Sequence, residues 1–190
     1  MKFNNKDIVI DPNEILRTKC EEVKFPLTKE DREIMMGLHD YVKYSTDEKK
    51  AKKYDLWPAV GIAAPQVGIL KQMCVVYIID EDNEPIADLK MINPEIIKES
   101  KEIIYIEDGE GCLSIKDEHE GYVPRKNKVT VKYYDINGKE KIVEAEGFIA
   151  RVIQHEVDHL DGILFIDRMT PAQKLKIKKQ LKKLTSQKKV

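Results

Sequence analysis

Residues 147–160 of the chain read GFIARVIQHEVDHL, and this stretch decides the interior of the fold. Its apolar side chains occur on more than one side of a helix drawn with about 3.6 residues per turn. A surface helix keeps its apolar residues on one stripe, whereas a helix that is apolar on several sides is buried. The stretch therefore predicts a buried central helix. The residues that make it apolar are Phe148, Ile149, Val152, Ile153, Val157 and Leu160.

The same helix carries the pattern H-E-x-x-H in His155, Glu156 and His159. Positions four apart lie on one side of a helix, one turn apart, so both imidazoles can face one metal ion. Glu156 falls at the edge of that side, where its carboxylate can reach a water on the metal without being a ligand. A chance pattern is the alternative, but burying two His and a Glu without partners costs several kcal/mol. The pattern indicates metal-dependent hydrolysis.

Composition is that of an ordinary single-domain protein. The chain has 190 residues, a formal net charge of −1 and 35% charged residues, so we predict one catalytic domain over 1–190 and no affinity for DNA. Apolar runs are shorter than the about 18 residues of a membrane span, and the first residues lack the apolar core of a signal peptide. We therefore expect a cytoplasmic protein with no membrane partner. The local exception is the segment from Lys174 to Lys189, which has eight Lys and no acidic residue.

The remaining patterns predict an α+β fold, with antiparallel or mixed sheets packed around the buried helix. Thr28 and Asp31 form a capping box for a helix that ends near Ser45, and we expect a surface loop over 46–53. Asn137-Gly138 predicts a hairpin. Strands are predicted over 73–79, 87–92, 96–106, 129–136 and 140–146, with Asn93-Pro94 as a break, and a short last strand over 163–166. A Lys-rich C-terminal helix over 171–190 completes the chain.

A catalytic site of the zinc type needs a third protein ligand besides His155 and His159. No His or Glu follows His159. Of the downstream Asp residues, Asp161 lies on the wrong side of the helix and Asp167 has no supporting context. Among the three cysteines, Cys112 lies in a glycine-bearing turn. Cys20 and Cys74 have no chemical context of that kind, and Cys74, in an apolar run, is expected to be a structural thiol. We therefore predict Cys112 as the third ligand. A thiolate beside two imidazoles suits Fe(II) or Zn(II) and disfavours Mg or Ca.

Three stretches together resemble the signature motifs of peptide deformylases. They are 61–66 (GIAAPQ), 110–114 (EGCLS) and 154–159 (QHEVDH), and the likeness extends from about residue 11 to about residue 167. The resemblance implies a metal-dependent enzyme that removes the formyl group from the N-terminal formyl-methionine of nascent polypeptides and releases formate. It also implies a Cys-His-His site that natively prefers Fe(II) and accepts Zn(II), Ni(II) or Co(II). The polar stretch over 46–57, together with residues 121–125 (GYVPR), resembles the class of Gram-positive-type bacteria, whereas the Lys-rich end looks more like the other class.

The resemblance also implies catalytic roles. Glu156 removes a proton from the attacking water as general base and returns it to the departing amine as general acid. The Gln66 side chain and the Leu113 backbone N–H donate hydrogen bonds to the formyl oxygen. For Gln66, the alternative from sequence is a hydrogen bond that orders its own loop.

Substrate contacts follow from the same resemblance. An extended peptide is expected to add as a strand, and its methionine side chain to enter an apolar pocket that includes Val152. The residues implied in substrate binding are Val60, Gly61, Gly111 and Tyr122. Glu110 is expected to pair with Arg125 and hold the motif turn, with two solvated charges as the alternative. Ala59 stands where the family commonly has Gly, and we expect that this position does not need a positive φ.

Two other classes of protein share part of the pattern. An endopeptidase with the same pentapeptide would use Glu156 but not Cys112. A metal-binding protein without activity would keep the three ligands but have no use for Glu156 or Gln66. A Lys-rich helix face is usually just a solvated surface. For the C-terminal helix, docking to ribosomal RNA is the alternative hypothesis.

Overall fold

The computed structural model describes residues 2–105, 109–116 and 123–169. Its α-helices are α1 (Lys29–Ser45), α2 (Glu48–Tyr54) and α3 (Gly147–Leu160). Its strands are β1 (Gly61–Ala63), β2 (Met73–Ile79), β3 (Pro85–Glu99), β4 (Ile103–Ile104), β5 (Arg125–Lys126), β6 (Lys128–Tyr134) and β7 (Glu140–Glu146). Short 3₁₀ helices cover Asn5–Asp7, Glu14–Arg17, Ala64–Val67 and Phe165–Asp167. Tyr122 and the predicted helix over 171–190 lie outside the described residues.

The main sheet is antiparallel, with the strand order β1-β2-β3-β6-β7, and β4 pairs with β5 in a second, two-stranded sheet. Alternate side chains of a strand point to opposite faces, and β2 is buried on both. The core that includes α1 takes Met73, Val75 and Tyr77 from this strand. The core that includes α3 takes Cys74, Val76 and Ile78. This α+β arrangement, with antiparallel strands packed on a buried helix, confirms the predicted fold class.

Helix α3 is buried along most of its length, as its apolar pattern predicted. Ile153 is fully buried and His159 is 1% exposed, whereas Phe148 in the first turn is 50% exposed. The helix begins at Gly147, which has a φ of 62°, and it is followed by Gly162 with a φ of 72°. Both glycines adopt a conformation that other residues rarely take, so they fix where the helix enters and leaves the core.

The predicted capping box of α1 is confirmed, but the loop predicted over 46–53 is wrong. Thr28 and Asp31 cap α1, which ends at Ser45. The next residues form α2 instead, because the Asp47 side chain accepts a hydrogen bond from the backbone N–H of Lys50 at 3.0 Å. Such a cap satisfies one of the free donors of the first turn, and Glu, Lys and Ala are good helix formers. The segment before β1 is therefore ordered by local structure.

The break predicted at Asn93-Pro94 is also wrong, because β3 continues through it to Glu99. The register shifts between Ile92 and Glu95, which leaves the proline at an irregularity where no ladder N–H is needed. Asn93 has a φ of 50°. Its side chain accepts from the backbone N–H of Val23 at 2.8 Å and donates to the carbonyl of the same residue at 2.9 Å. A contact between distant parts of the chain thus stabilises the bulge.

The hairpin at Asn137-Gly138 is confirmed by the pairing of β6 with β7. The last strand predicted over 163–166 is wrong. Part of that range belongs to the 3₁₀ helix Phe165–Asp167, where the Asp167 carboxylate accepts from the backbone N–H of Leu164 at 2.9 Å. Within the described residues, no helix is long and apolar enough to cross a membrane.

Candidate metal centre

Three donor side chains meet at the inner side of α3. One ligand atom each from Cys112, His155 and His159 lies within 4.8 Å of the others, and the Cys112 Sγ is 3.3 Å from the His159 Nε2. Metal–ligand bonds of about 2.0–2.3 Å in a tetrahedron place such donors about 3.5 Å apart, so the group fits one cation. Burial lowers the pKa of His159 well below its ordinary value, which favours the neutral imidazole that binds metals.

The orientation of one imidazole is set by a carboxylate from the Cys112 segment. The Glu110 Oε2 is 3.0 Å from the His155 Nδ1, which leaves the Nε2 of that ring for the cation. Glu110 also accepts two hydrogen bonds from Arg125, each of 2.8 Å. Burial alone would raise the pKa of Glu110, but Arg125 and His155 outweigh it and lower the pKa to about 2. The side chains of the pair are 2% and 6% exposed, which excludes two solvated charges.

Two further residues of α3 support this arrangement and were missed from sequence. Asp158 accepts hydrogen bonds from Arg125 and from Arg168. Gln154 accepts from the backbone N–H of Lys126 at 2.9 Å and donates to the carbonyl of the same residue at 2.8 Å, which fixes α3 to β5. The available signal was their position inside the pentapeptide region, since a buried Asp and a buried Gln both need partners.

Glu156 lies on the wall of a cavity of about 800 Å³ beside the three donors. Its side chain is nearly fully buried, and among the described residues its Oε2 has no hydrogen-bond partner. Burial raises the pKa of this carboxyl to about 7. The other carboxylate oxygen lies against Gly61, where an added Cβ would be 2.4 Å from it. The unpaired oxygen and the contact with Gly61 place this carboxylate on the cavity wall, outside the group of three donors.

Gln66 presents its amide to the sulfur of the donor group. Its Oε1 accepts from the backbone N–H of Ala63 at 2.9 Å, which fixes the amide plane. Its Nε2 donates to the Cys112 Sγ at 3.5 Å and to the Ser114 hydroxyl at 3.4 Å. The side chain therefore orders its own loop through the oxygen, which is the alternative that the sequence offered, while the residue also lines the cavity.

The other predicted contacts line the same cavity, apart from Tyr122, which lies outside the described residues. The lining includes Val60, Gly61, Gly111, Leu113 and Val152. Ala59 is not among the residues with positive φ, as expected. Its backbone instead bonds to Ser45 at the end of α1, with a distance of 3.1 Å from its N–H to the serine hydroxyl.

A model of the family described as polypeptide deformylase matches residues 5–175. The chain belongs to the peptide deformylase family. Peptide deformylases are metal-dependent enzymes, so the chain is assigned to an enzyme family whose cation the Cys-His-His group fits.

Relatives among peptide deformylases match nearly the whole chain. This chain is 42% identical to the peptide deformylase of Limosilactobacillus reuteri over 170 residues, which cover 88% of this chain and 91% of that protein. It is 41% identical to that of Macrococcus caseolyticus over 174 residues, which cover 92% of this chain and 95% of that protein. Both bacteria are Gram-positive.

Solved peptide deformylases share the fold. The structure from Plasmodium falciparum has a TM-score of 0.73 and 33% identity, with 95% of each chain covered. A class I type b enzyme from Acinetobacter baumannii, solved with Met-Ala-Ser bound, has a TM-score of 0.68 and 32% identity, with 85% of this chain and 96% of that chain covered.

Proposed function

We propose that this chain removes the N-formyl group from the formyl-methionine of nascent polypeptides, with Cys112, His155 and His159 as the ligands of a divalent cation. The observation that carries the proposal is the meeting of these donors within 4.8 Å beside a cavity whose wall holds Glu156. A set of three ligands leaves one coordination position for water or substrate, as in catalytic sites and unlike closed structural sites.

The cation proposed is Fe(II), with Zn(II), Ni(II) or Co(II) as substitutes, because a thiolate with two imidazoles is a donor set of intermediate softness. When bound, such a cation supplies Lewis acidity that makes water a nucleophile near neutral pH. Glu110 keeps the His155 ring oriented toward the cation through the 3.0 Å contact at Nδ1.

Glu156 moves the proton. Its Oε2 is buried and has no hydrogen-bond partner in the described part of the chain, so it can accept a hydrogen bond from a water bound beside it. The carboxylate accepts a proton from the water that attacks the formyl carbon and then donates it to the departing amine. The C–N bond breaks as the new C–O bond completes formate. Helix α3 thus carries both the proton carrier and two of the ligands, which keeps their spacing fixed.

The formyl oxygen gains negative charge during the attack and needs donors. We propose the Gln66 Nε2 and the Leu113 backbone N–H. Because Ala63 holds the other end of the Gln66 amide, its N–H groups are oriented before the reaction begins. Loss of one such donor typically lowers the rate about 100- to 1,000-fold, so Gln66→Ala should be impaired to that degree.

The substrate binds as an added strand. β1 lies at the edge of the main sheet and pairs only with β2 among the described strands, which leaves its outer edge for a peptide. Main-chain groups of Val60, Gly61 and Gly111 bind the peptide backbone, and Val152 with Tyr122 contacts the methionine side chain. The Acinetobacter enzyme, solved with Met-Ala-Ser bound, supports a peptide of this kind.

The setting proposed is the cytoplasm, where nascent chains emerge from ribosomes. The Lys-rich segment over 171–190 docks on ribosomal RNA in this proposal, which predicts binding that weakens steeply with salt. Deletion of residues 172–190 should abolish that binding and leave hydrolysis of small formyl peptides intact. Ribosome binding that survives the deletion would refute this part of the proposal.

The main test is hydrolysis of formyl-Met-Ala by anaerobically purified, Fe(II)-loaded protein. The parent should release formate, whereas Cys112→Ser and Glu156→Gln should not. Matched controls are Cys20→Ala, which removes a thiol in the core, and Glu140→Ala, which removes an exposed carboxylate; both should hydrolyse the peptide like the parent. A parent that cleaves casein but not the formyl peptide would be an endopeptidase. Tight metal binding without either activity would indicate a non-enzymatic metal protein.

A further inference from the structure

Arg151 is an arginine of the cavity wall that the proposed reaction does not use. It lies on α3 one turn before His155, lines the same cavity, and is only 4% exposed. Its Nε and Nη1 are buried and have no hydrogen-bond partner in the described ranges. Arginine stays protonated in proteins and can donate five hydrogen bonds, so a buried guanidinium normally pairs with an acceptor.

The charges around Arg151 do not supply that acceptor. Glu110 attracts it, but both oxygens of this carboxylate are taken by Arg125 and His155. Arg125 repels it. Burial therefore prevails and lowers the pKa of Arg151 from its ordinary value. A guanidinium held at the cavity without a hydrogen-bonded acceptor is a site prepared for an anion that arrives there.

Deformylation, if it proceeds as proposed above, creates an anion in this cavity. The substrate formamide is neutral. Water adds its oxygen to the formyl carbon, the C–N bond breaks, and the amine leaves with both protons of that water as an ammonium group. The remaining fragment is formate. The planar fork of a guanidinium matches a carboxylate with two parallel hydrogen bonds.

We propose that Arg151 is a carboxylate-binding residue of the cavity and that it holds the product formate as it leaves the metal centre. The inference rests on the proposed function, since that reaction supplies the formate. A second source of the same chemistry is the C-terminal carboxylate of a very short substrate, such as formyl-Met-Ala. Nascent chains carry no C-terminal carboxylate so close to the formyl group, and the test must separate the two sources.

The first test measures formate as an inhibitor of the metal-loaded enzyme, with formyl-Met-Ala amide as substrate. Arg151→Met removes the charge and keeps an apolar side chain of similar length, whereas Arg151→Lys keeps the charge and loses the fork. The inhibition constant for formate should rise at least tenfold in Arg151→Met, which corresponds to about 1.4 kcal/mol, and less in Arg151→Lys. The control is Lys116→Met, which removes an exposed cation that lines the cavity and should change the constant less than twofold. Equal inhibition of parent and Arg151→Met, or an equal effect of Lys116→Met, would overturn the proposal.

The second test observes binding directly. The NMR line of ¹³C-labelled formate should broaden on addition of Zn(II)-loaded parent protein and stay narrower with Arg151→Met at equal concentration. This readout does not need turnover, so a parent that binds formate through Arg151 but hydrolyses no formyl peptide would refute the proposed function and leave the binding site standing. Thermal unfolding of each variant shows whether it is folded. If Arg151→Met does not fold, Arg151→Lys takes its place in both tests.

The substrate arm separates the two carboxylates. If Arg151 binds only formate, the ratio of KM for formyl-Met-Ala to that for its amide is the same in parent and Arg151→Met. If it binds the peptide carboxylate instead, the parent prefers the free acid and the variant loses that preference, which would overturn the assignment to product.

Discussion

The close contact between Gly61 and Glu156 predicts how much a substitution at Gly61 should lower activity and stability. A Cβ added at Gly61 would lie 2.4 Å from the Oε1 of Glu156, 2.8 Å from its Cδ and 3.0 Å from its Cγ, and these are the three nearest atoms. Ordinary contact begins at 3.4 Å, so the carboxylate has to move by about 1 Å. The backbone of Gly61 is not in the left-handed region, so Ala causes no strain of its own there.

Gly61→Ala should therefore act through the position of Glu156. A displacement of about 1 Å at a reacting group lowers the rate about 100-fold, and forcing an extra methyl into a packed interior costs about 1–3 kcal/mol of stability. The measurements are kcat/KM for formyl-Met-Ala and thermal unfolding. Gly111→Ala is the control for stability, because its added Cβ would meet nothing within 4 Å and it too has an ordinary φ. It should unfold like the parent.

A double-mutant cycle identifies the atom responsible. In Glu156→Ala, the carboxylate that meets the new methyl is gone, so adding Gly61→Ala should cost much less stability than it does in the parent. The reasoning is refuted if Gly61→Ala keeps kcat/KM within a few-fold of the parent, or if the stability loss is the same with and without the Glu156 side chain.

Three further predictions use other parts of the molecule. Cys112→Ser should lower metal affinity at least about tenfold while the protein still folds, which metal analysis after dialysis will check; full metal retention would contradict the ligand assignment. Arg125→Met should lower the free energy of unfolding by about 3–5 kcal/mol, because two buried carboxylates lose their shared cation, whereas Arg168→Met, at a partly exposed site, should cost far less in the same urea titration. Hydrogen bonds from Lys71 and Thr28 outweigh burial and lower the pKa of Asp31. That carboxylate therefore adds stability above its unfolded pKa of about 4, which is lost as the pH falls through the lower folded pKa; Asp31→Asn should be less stable at pH 7 and lose less on acidification.

Sequence reasoning worked where the decisive interactions are local. Helix α3 was predictable because its apolar residues surround the helix axis, and the hairpin was predictable because Asn-Gly favours one tight turn. The same local logic would have found α2, since Asp47 is a good cap and the residues after it form helices well. The polarity of that segment alone does not distinguish a loop from a short exposed helix.

Prediction from sequence failed where contacts between residues far apart in the chain determine the local structure. Asn93-Pro94 is a typical strand break, yet β3 passes through it because Val23, far away in sequence, takes both hydrogen bonds of the Asn93 side chain. The donors of the metal centre could be predicted, because helical spacing indicated His155 and His159 and elimination of the other candidates left Cys112. The roles of Asp158 and Arg151 could not be predicted from the sequence. Those roles depend on the charges that surround each side chain, and the surrounding charges are set only when distant segments pack together.

The buried charged side chains beside the metal centre are better explained by their role in positioning the metal ligands than by a contribution to the stability of the fold. Replacing a buried ion network with apolar residues is often neutral or stabilising, so such a network needs another reason. Arg125 binds Glu110 on the segment that carries Cys112, and it binds Asp158 on the helix that carries both imidazoles. One guanidinium therefore fixes the sulfur relative to the two rings, and Glu110 passes that alignment to His155. A catalytic cation tolerates little displacement of its donors, which makes the cost of burying these charges understandable.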